Sequence, residues 1–212
     1  MRTLRNITPR YVLIGILSII GMTLFFGTGC MPQKNGYQSG MASGSGQPSV
    51  VDPSDLKPGI SVRYLYGFWR HINEMPDAEQ FAKKGKPGEP ILFINHRFGN
   101  KRVFGSGKSR GVGVLMEGFI HLDLPGAWEF KVRSNDGIRM VIGHTLVADD
   151  PDQHSDRFSQ PMGFTAGKPG YFPLMIQYFQ RKGTATLECY WKRPGETDFV
   201  IIPEKAYRHI PE

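Results

Sequence analysis

The sequence predicts an all-β fold, an antiparallel, jelly-roll-like β-sandwich that forms a single domain over residues 59–207. Segments of five to ten residues alternate apolar and polar side chains, the period of a strand with one buried face. The 212-residue chain contains 26 glycines and 16 prolines, so turns are frequent and long helices are few. Short strands separated by turns favour a sandwich or barrel over a parallel sheet with crossing helices.

The N-terminus has the layout of an export signal. Residues 1–10 carry three arginines and no acid, residues 11–26 are almost entirely apolar, and Gly27-Thr28-Gly29 precede Cys30. The apolar run is shorter than the roughly 20 residues that cross a bilayer comfortably. Small residues directly before a cysteine resemble a bacterial lipoprotein cleavage site. The resemblance implies a signal peptide at residues 1–29 and palmitate-type acylation of Cys30, while an ordinary signal-peptidase site and an uncleaved anchor remain open.

The predicted lipid would hold the exported protein on the cell membrane or outer membrane. Met31 follows the cysteine where Asp would favour inner-membrane retention, so the outer membrane is favoured. Removing the three N-terminal arginines, with no acid lost, lowers the formal net charge from +7 to +4. Much of the basic character therefore belongs to the signal, and no nucleic-acid partner is predicted.

A tether is predicted between the signal and the domain, over residues 30–58. Gly, Ser, Pro and Gln make up 16 of residues 31–58, and no apolar periodicity is visible. Such a composition cannot bury enough apolar surface to offset the entropy of ordering.

The domain itself is divided into strands and one helix. Asp-Gly at 136–137 stands between two alternating segments, which predicts a β-hairpin. Residues 77–84 predict a short helix entered through Pro76. Strands are predicted at residues 60–68, 91–95, 112–122, 127–134, 138–142, 171–180, 185–191 and 199–202.

Residues 124–143, LPGAWEFKVRSNDGIRMVIG, resemble the central signature of the PA14 domain, a β-sandwich module of adhesins, toxins and glycosidases. Further segments agree in order, at Gly118-Phe119-Ile120, at residues 166–174, and from Tyr178 to Pro203. The resemblance covers about residues 59–207.

In sugar-binding members of that family, two consecutive aspartates joined by a cis peptide hold a calcium ion that binds sugar hydroxyls. The matching pair here is Asn135-Asp136, followed by Gly137. The resemblance therefore implies a glycan site at these three residues, with Asn135 and Asp136 as calcium ligands. Calcium prefers several oxygen ligands with more than one negative charge, so the Asn weakens the expectation. The alternative is that Asp136 and Gly137 simply build the turn.

Two charged segments are further candidates. Asp149 begins the acidic run Asp-Asp-Pro-Asp and is a candidate to share the glycan site, or else belongs to a solvated loop. Residues 96–102, continued by Lys108 and Arg110, form the strongest basic stretch. This stretch is either a solvated loop or a surface for anionic polysaccharide.

No arrangement of nucleophile and base or of paired carboxylates is visible, so no enzyme is predicted. If Cys30 is acylated, Cys189 lacks a partner, and strand alternation places it among Leu187 and Trp191 as a buried thiol. The predicted function is non-catalytic binding of carbohydrate by a membrane-anchored lipoprotein. The alternative is a structural or protein-interaction module of the cell envelope that binds neither sugar nor metal.

Overall fold

The computed structural model describes residues 44–49 and 51–211. The predicted signal peptide, Cys30 and the first part of the predicted tether lie outside these residues. Within the described ranges, no helix is both long enough and apolar enough to cross a membrane.

Strands dominate the described residues. The single α-helix there, α1, spans Ala78–Lys84, and short 3-10 helices span Pro53–Asp55, Ile72–Glu74, Phe104–Ser106 and Glu204–Ala206. The strands are β1 (Gly44–Gly46), β2 (Lys57–Pro58), β3 (Ile60–Tyr66), β4 (Lys86–Ile91), β5 (Asn95–Gly99), β6 (Val112–Leu122), β7 (Gly126–Asn135), β8 (Ile138–Ile142), β9 (Thr145–Asp150), β10 (Arg157–Phe158), β11 (Met162–Ala166), β12 (Gly170–Gln180), β13 (Ala185–Lys192), β14 (Val200–Ile201) and β15 (Tyr207–His209).

The strands form two sheets, which confirms the predicted antiparallel sandwich. The first sheet has the order β1-β11-β7-β13-β14, with β10 added on β7 and β5 on β13. The second sheet has the order β2-β15-β6-β12-β8-β9, with β3 between β6 and β4. All pairings are antiparallel except that of β1 with β11.

The core lies between the sheets, as the alternation predicts. On β7, Trp128 and Phe130 are fully buried, whereas Glu129 between them faces outward. The rings of Trp128 and Trp191 lie 4.9 Å apart between centroids. Burying each such side chain contributes roughly 1.5–3 kcal/mol or more, so these strands supply much of the stability.

Most of the predicted strands are confirmed, but the one at residues 91–95 is wrong. Ile91 ends β4 in the second sheet, and Asn95 begins β5 in the first sheet. The intervening residues cross between the sheets, and Ile94 among them is fully buried. The apolar run therefore marks a crossing between the sheets that is anchored by Ile94, and composition cannot distinguish it from a strand.

The predicted helix is confirmed as α1. Asp77 precedes it, and its Oδ1 accepts the N–H of Gln80 at 2.8 Å, which caps the first turn. Phe81 is fully buried and attaches the helix to the sandwich.

Part of the predicted tether belongs to the sandwich. Strand β1 pairs in parallel with β11, and Ser49 N–H donates to the carbonyl of Tyr171 at 2.8 Å. These bonds use backbone groups alone, so a segment poor in apolar side chains still joins the sheet. A Cβ on Gly44 would lie 2.0 Å from Cγ2 of Thr145, so the pairing depends on glycine there.

Candidate functional site

The connection between β7 and β8 carries the predicted site residues Asn135, Asp136 and Gly137. Strand β7 pairs within the first sheet, whereas β8 pairs with β12 and β9 in the second. The predicted hairpin is therefore wrong, and the chain crosses here from one sheet to the other. An Asp-Gly pair favours a turn, but it does not determine which strands become partners. The peptide bond between Asn135 and Asp136 is cis.

Asn135 is buried and hydrogen-bonded to β12 and to the loop between β12 and β13. Its carbonyl accepts the hydroxyl of Tyr178, a β12 residue, at 2.6 Å. Its amide Nδ2 donates to Oγ1 of Thr184 at 3.0 Å, which joins the turn to the loop between β12 and β13. Only 6% of the surface of Asn135 is exposed. The residue therefore supports this loop from the interior of the domain.

Asp136 holds the same loop through its carboxylate. Oδ2 accepts the N–H of Arg181 at 2.7 Å, and the residue is 2% exposed. Burial raises the pKa of Asp136 above its usual value, and the N–H groups of Arg181 and His154 offset part of that rise. The carboxylate is thus surrounded by donors from two loops, the arrangement expected of a buried structural acid.

Gly137 allows the turn to pack tightly. A Cβ at this position would lie 2.4 Å from Cε1 of Phe179 and 2.6 Å from the carbonyl oxygen of Pro151. The carbonyl of Gly137 accepts the N–H of Phe179 at 3.0 Å. The three turn residues are therefore structural supports at one end of the sandwich, and their direct contact with a glycan stays a prediction.

Asp149 lies in β9 and is engaged by the adjacent strand. Arg139 Nε donates to its Oδ1 at 2.9 Å and Nη2 to its Oδ2 at 3.3 Å. Arg139 also donates to the amide oxygen of Asn73 at 2.9 Å. The structure thus pairs Asp149 with Arg139 and not with the turn, and the run that includes Asp150 begins inside a strand.

A chain of backbone hydrogen bonds extends from Asp136 to the surface. The carbonyl of Arg181 accepts the N–H of Gly111 at 3.0 Å, and the carbonyl of Gly111 accepts the N–H of Gly67 at 3.0 Å. Gly111 has φ +60°, and a Cβ there would lie 3.0 Å from both the Gly67 carbonyl oxygen and the Phe68 ring. Loops from three parts of the sequence therefore meet above the turn.

These loops present exposed cations and aromatic rings. We call the set Tyr66, Phe68, Lys108, Arg110 and Lys182 the cationic loop surface. All five residues are exposed, with 60% for Phe68 and 40% for Tyr66. The Nζ of Lys108 lies 4.2 Å from the centroid of the Tyr66 ring, and that of Lys182 lies 6.0 Å from the Phe68 ring.

Sequence reasoning identified Lys108 and Arg110 as part of a basic stretch but missed the other members. Tyr66 and Phe68 fall at the end of a predicted strand, where the alternation gave no reason to expect exposure. Their spacing of two residues does place both rings on one side of the chain. Lys182 lies more than 100 residues beyond Phe68 in the sequence, and the hydrogen bonds through Arg181 bring it near.

The turn residues by themselves supply few of the oxygen ligands that the calcium site implied by the resemblance would need. Calcium takes six to eight oxygen ligands, commonly including several carboxylates. Asp136 is the one carboxylate of the turn, and its Oδ2 already accepts an N–H. The Asn135 amide nitrogen donates to Thr184, so this residue can offer calcium only its neutral amide oxygen. Within residues 44–49 and 51–211, no group of three or more His, Cys, Asp or Glu side chains is arranged to hold a metal ion.

Two antiparallel sheets, joined at one end by a buried Asn-Asp-Gly crossing, define an all-β sandwich module. Residues 101–205 match the family model of the PA14 domain, and the chain therefore contains a PA14 domain. The resemblance identified from residues 124–143 is confirmed. No curated protein matches the chain.

Solved structures with the same fold share little sequence with this chain. The PA14 domain of the MpAFP antifreeze protein is 15% identical, with a TM-score of 0.57, over 77% of this chain and 97% of that one. The Epithelial Adhesin 9 A domain from Candida glabrata, in complex with Galb1-4GlcNAc, is 9% identical, with a TM-score of 0.60, over 80% and 97%. A PA14 sugar-binding domain from an RTX adhesin is 17% identical, with a TM-score of 0.52, over 72% and 98%.

Proposed function

We propose that this protein is a non-catalytic carbohydrate-binding protein whose PA14 domain recognises glycan at the end of the sandwich that contains Asn135-Asp136-Gly137. The observation that carries the proposal is the position of this family turn, buried directly beneath an exposed loop surface. Support comes from the similar domains solved with a disaccharide or described as sugar-binding.

The turn acts by positioning the loops. Asp136 fixes the backbone of Arg181, and Asn135 fixes Thr184, so both support the loop between β12 and β13 from inside. The exposed side chains above them make the contacts with glycan. Binding by loops held rigidly in advance costs less ordering entropy than binding by mobile ones.

A glycan array probed with the purified full-length chain tests this function. We expect binding to a defined set of glycans, unchanged by EDTA and weakened several-fold by Asp136→Asn. The exposed Asp198→Asn serves as the matched control and should leave the array profile unchanged. A folded wild-type chain that binds no glycan would overturn the proposal in favour of a structural or protein-interaction role.

We further propose that the protein is exported and held on the cell membrane or outer membrane by acylation of Cys30, after removal of residues 1–29. The basic, apolar and small-residue segments before Cys30 support this proposal. Two or three acyl chains anchor a protein far more stably than one. Metabolic labelling with a palmitate analogue should mark the wild-type chain and not Cys30→Ser, and equal labelling of both would refute lipidation.

A further inference from the structure

We infer that the cationic loop surface binds an anionic glycan, a polysaccharide that carries carboxylate groups. The inference rests on the proposed carbohydrate-binding function and adds the class of sugar and the side chains that contact it. Three separate observations support the inference: the surface carries unpaired cations, it exposes aromatic rings, and hydrogen bonds hold its loops in place.

The charge of this surface is not compensated within the described part of the chain. There, no carboxylate lies within 4.0 Å of the charged groups of Lys108, Arg110 or Lys182. By contrast, Arg97 and Lys192, on the first sheet, are paired with Glu188 and Glu129. Cations without partners on adjoining loops attract anions and keep little of that attraction at high salt.

The aromatic rings supply the contact area that cations alone lack. Phe68 is the most exposed large hydrophobic residue among those described, and Tyr66, the second ring of the cationic loop surface, is also exposed. Sugar-sized ligands are held mainly by apolar and aromatic contact, with a few polar groups that fix orientation. Here an ammonium group lies over one face of each ring, that of Lys182 over Phe68 and that of Lys108 over Tyr66. A sugar that packs against the remaining surface of either aromatic ring therefore brings its carboxylate close to a cation.

The surface is preorganised by backbone and side-chain bonds. The Tyr66 hydroxyl donates to the carbonyl of Ser106 at 2.8 Å, and the Ser106 hydroxyl donates to the carbonyl of Lys108 at 3.0 Å. The bonds from Gly67 to Gly111 and from Gly111 to Arg181 lock the three loops together. The cations and rings thus keep their relative positions before the ligand arrives, which reduces the entropic cost of binding.

The experiment measures the affinity of the full-length chain for three probes by biolayer interferometry. The probes are alginate oligosaccharides, which carry one carboxylate per sugar, neutral dextran oligosaccharides of equal length, and a single-stranded oligonucleotide of equal charge. We expect binding to alginate that weakens as salt is raised, with weaker binding to the oligonucleotide and none to dextran. Lys108→Ala combined with Lys182→Ala should raise Kd for alginate about tenfold, since the two exposed ion pairs that are lost each contribute a modest share of the affinity.

Lys168→Ala combined with Lys57→Ala is the matched control. Lys168 lies just before β12, at the far end of that 11-residue strand from Lys182, about 35 Å away. The control pair should leave Kd for alginate unchanged. Phe68→Ala should raise Kd for alginate several-fold, while the thermal midpoint of the variant protein stays that of wild type.

Three results would overturn the inference: no binding to alginate, equal loss in the control pair, or tighter binding to the oligonucleotide. If the glycan array shows binding to neutral sugars while alginate fails, the carbohydrate function stands and only the anionic specificity falls. If neither assay detects any glycan, both fall.

Discussion

Asp136 is the residue on which the loop end of the sandwich depends. Its carboxylate is 2% exposed and accepts the N–H of Arg181, whose carbonyl begins the bonds that continue to Gly111 and Gly67. A buried acid in this setting costs desolvation energy and recovers part of it through hydrogen bonds. The residue therefore determines where the surface loops sit without reaching the surface.

The raised pKa of Asp136 predicts a pH dependence of stability. Burial raises the pKa in the folded chain above the unfolded value of about 3.9, so the folded state binds the proton more readily. The contribution of Asp136 to stability is then fully present below the unfolded pKa and is lost as pH rises through the folded pKa. We predict that Asp136→Asn, which cannot ionise, gains in unfolding free energy relative to wild type as pH rises from about 4 to about 7. Urea unfolding of both chains at several pH values measures this, and a difference that stays constant would contradict it.

Cys189 is fully buried, and its thiol is expected to be unreactive in the folded chain. Burial raises the pKa of its thiol to about 12, so about one part in ten thousand is thiolate at pH 8. We predict that the Cys30→Ser chain, in which Cys189 is the remaining cysteine, resists iodoacetamide when folded and reacts fully in urea. Mass spectrometry measures the modification, and rapid labelling of the folded chain would be inconsistent with this burial.

At the scale of elements, the crossing from β7 to β8 closes one end of the sandwich. Gly137 is needed there because the ring of Phe179 and the carbonyl of Pro151 occupy the space of a side chain. The prolines at 87 and 90 belong to a different element, the edge strand β4, whose one partner among the described strands is β3. Proline lacks a backbone N–H donor, so it hinders this edge strand from pairing with a strand of another chain.

We predict that Gly137→Ala destabilises the domain by about 2–3 kcal/mol, because its Cβ would overlap two well-packed neighbours. Gly105→Ala is the matched control, since the nearest atom to its Cβ is the Tyr64 hydroxyl at 3.7 Å. The control should change the unfolding free energy by no more than about 0.5 kcal/mol. Chemical denaturation compares the two, and equal effects would show that the close packing at the crossing does not matter.

For the whole molecule, the single carboxylate of the Asn135-Asp136-Gly137 turn predicts that calcium has little effect on stability. A site with Kd near 10 μM would add about 2.7 kcal/mol of stability at about 1 mM calcium, which raises Tm by roughly 5–10 °C at this chain length. We predict a change in Tm of less than about 1 °C between calcium and EDTA, read by scanning fluorimetry. Magnesium serves as the control for general ionic effects, and a calcium-specific rise would restore the metal site.

The sandwich, the helix and the PA14 signature could be predicted from the sequence, because strand alternation, capping and turn chemistry are local. Trp128 and Phe130 alternate with Glu129 in the sequence and alternate between core and solvent in the structure. The same locality explains the errors at residues 91–95 and at the Asp-Gly turn. In both, the chain passes from one sheet to the other, and a local pattern cannot say which sheet the next strand joins.

The contacts of the predicted site residues, by contrast, depend on the tertiary structure. It buried Asn135, Asp136 and Gly137, because β12 and the loop that follows it supply the hydrogen-bond partners of the crossing. It placed Asp149 against Arg139 because these residues face each other in the pairing of β8 with β9. It also gathered the cationic loop surface from segments more than 100 residues apart. Contacts of that separation arise from strand pairing across the whole domain, and no window of sequence contains them.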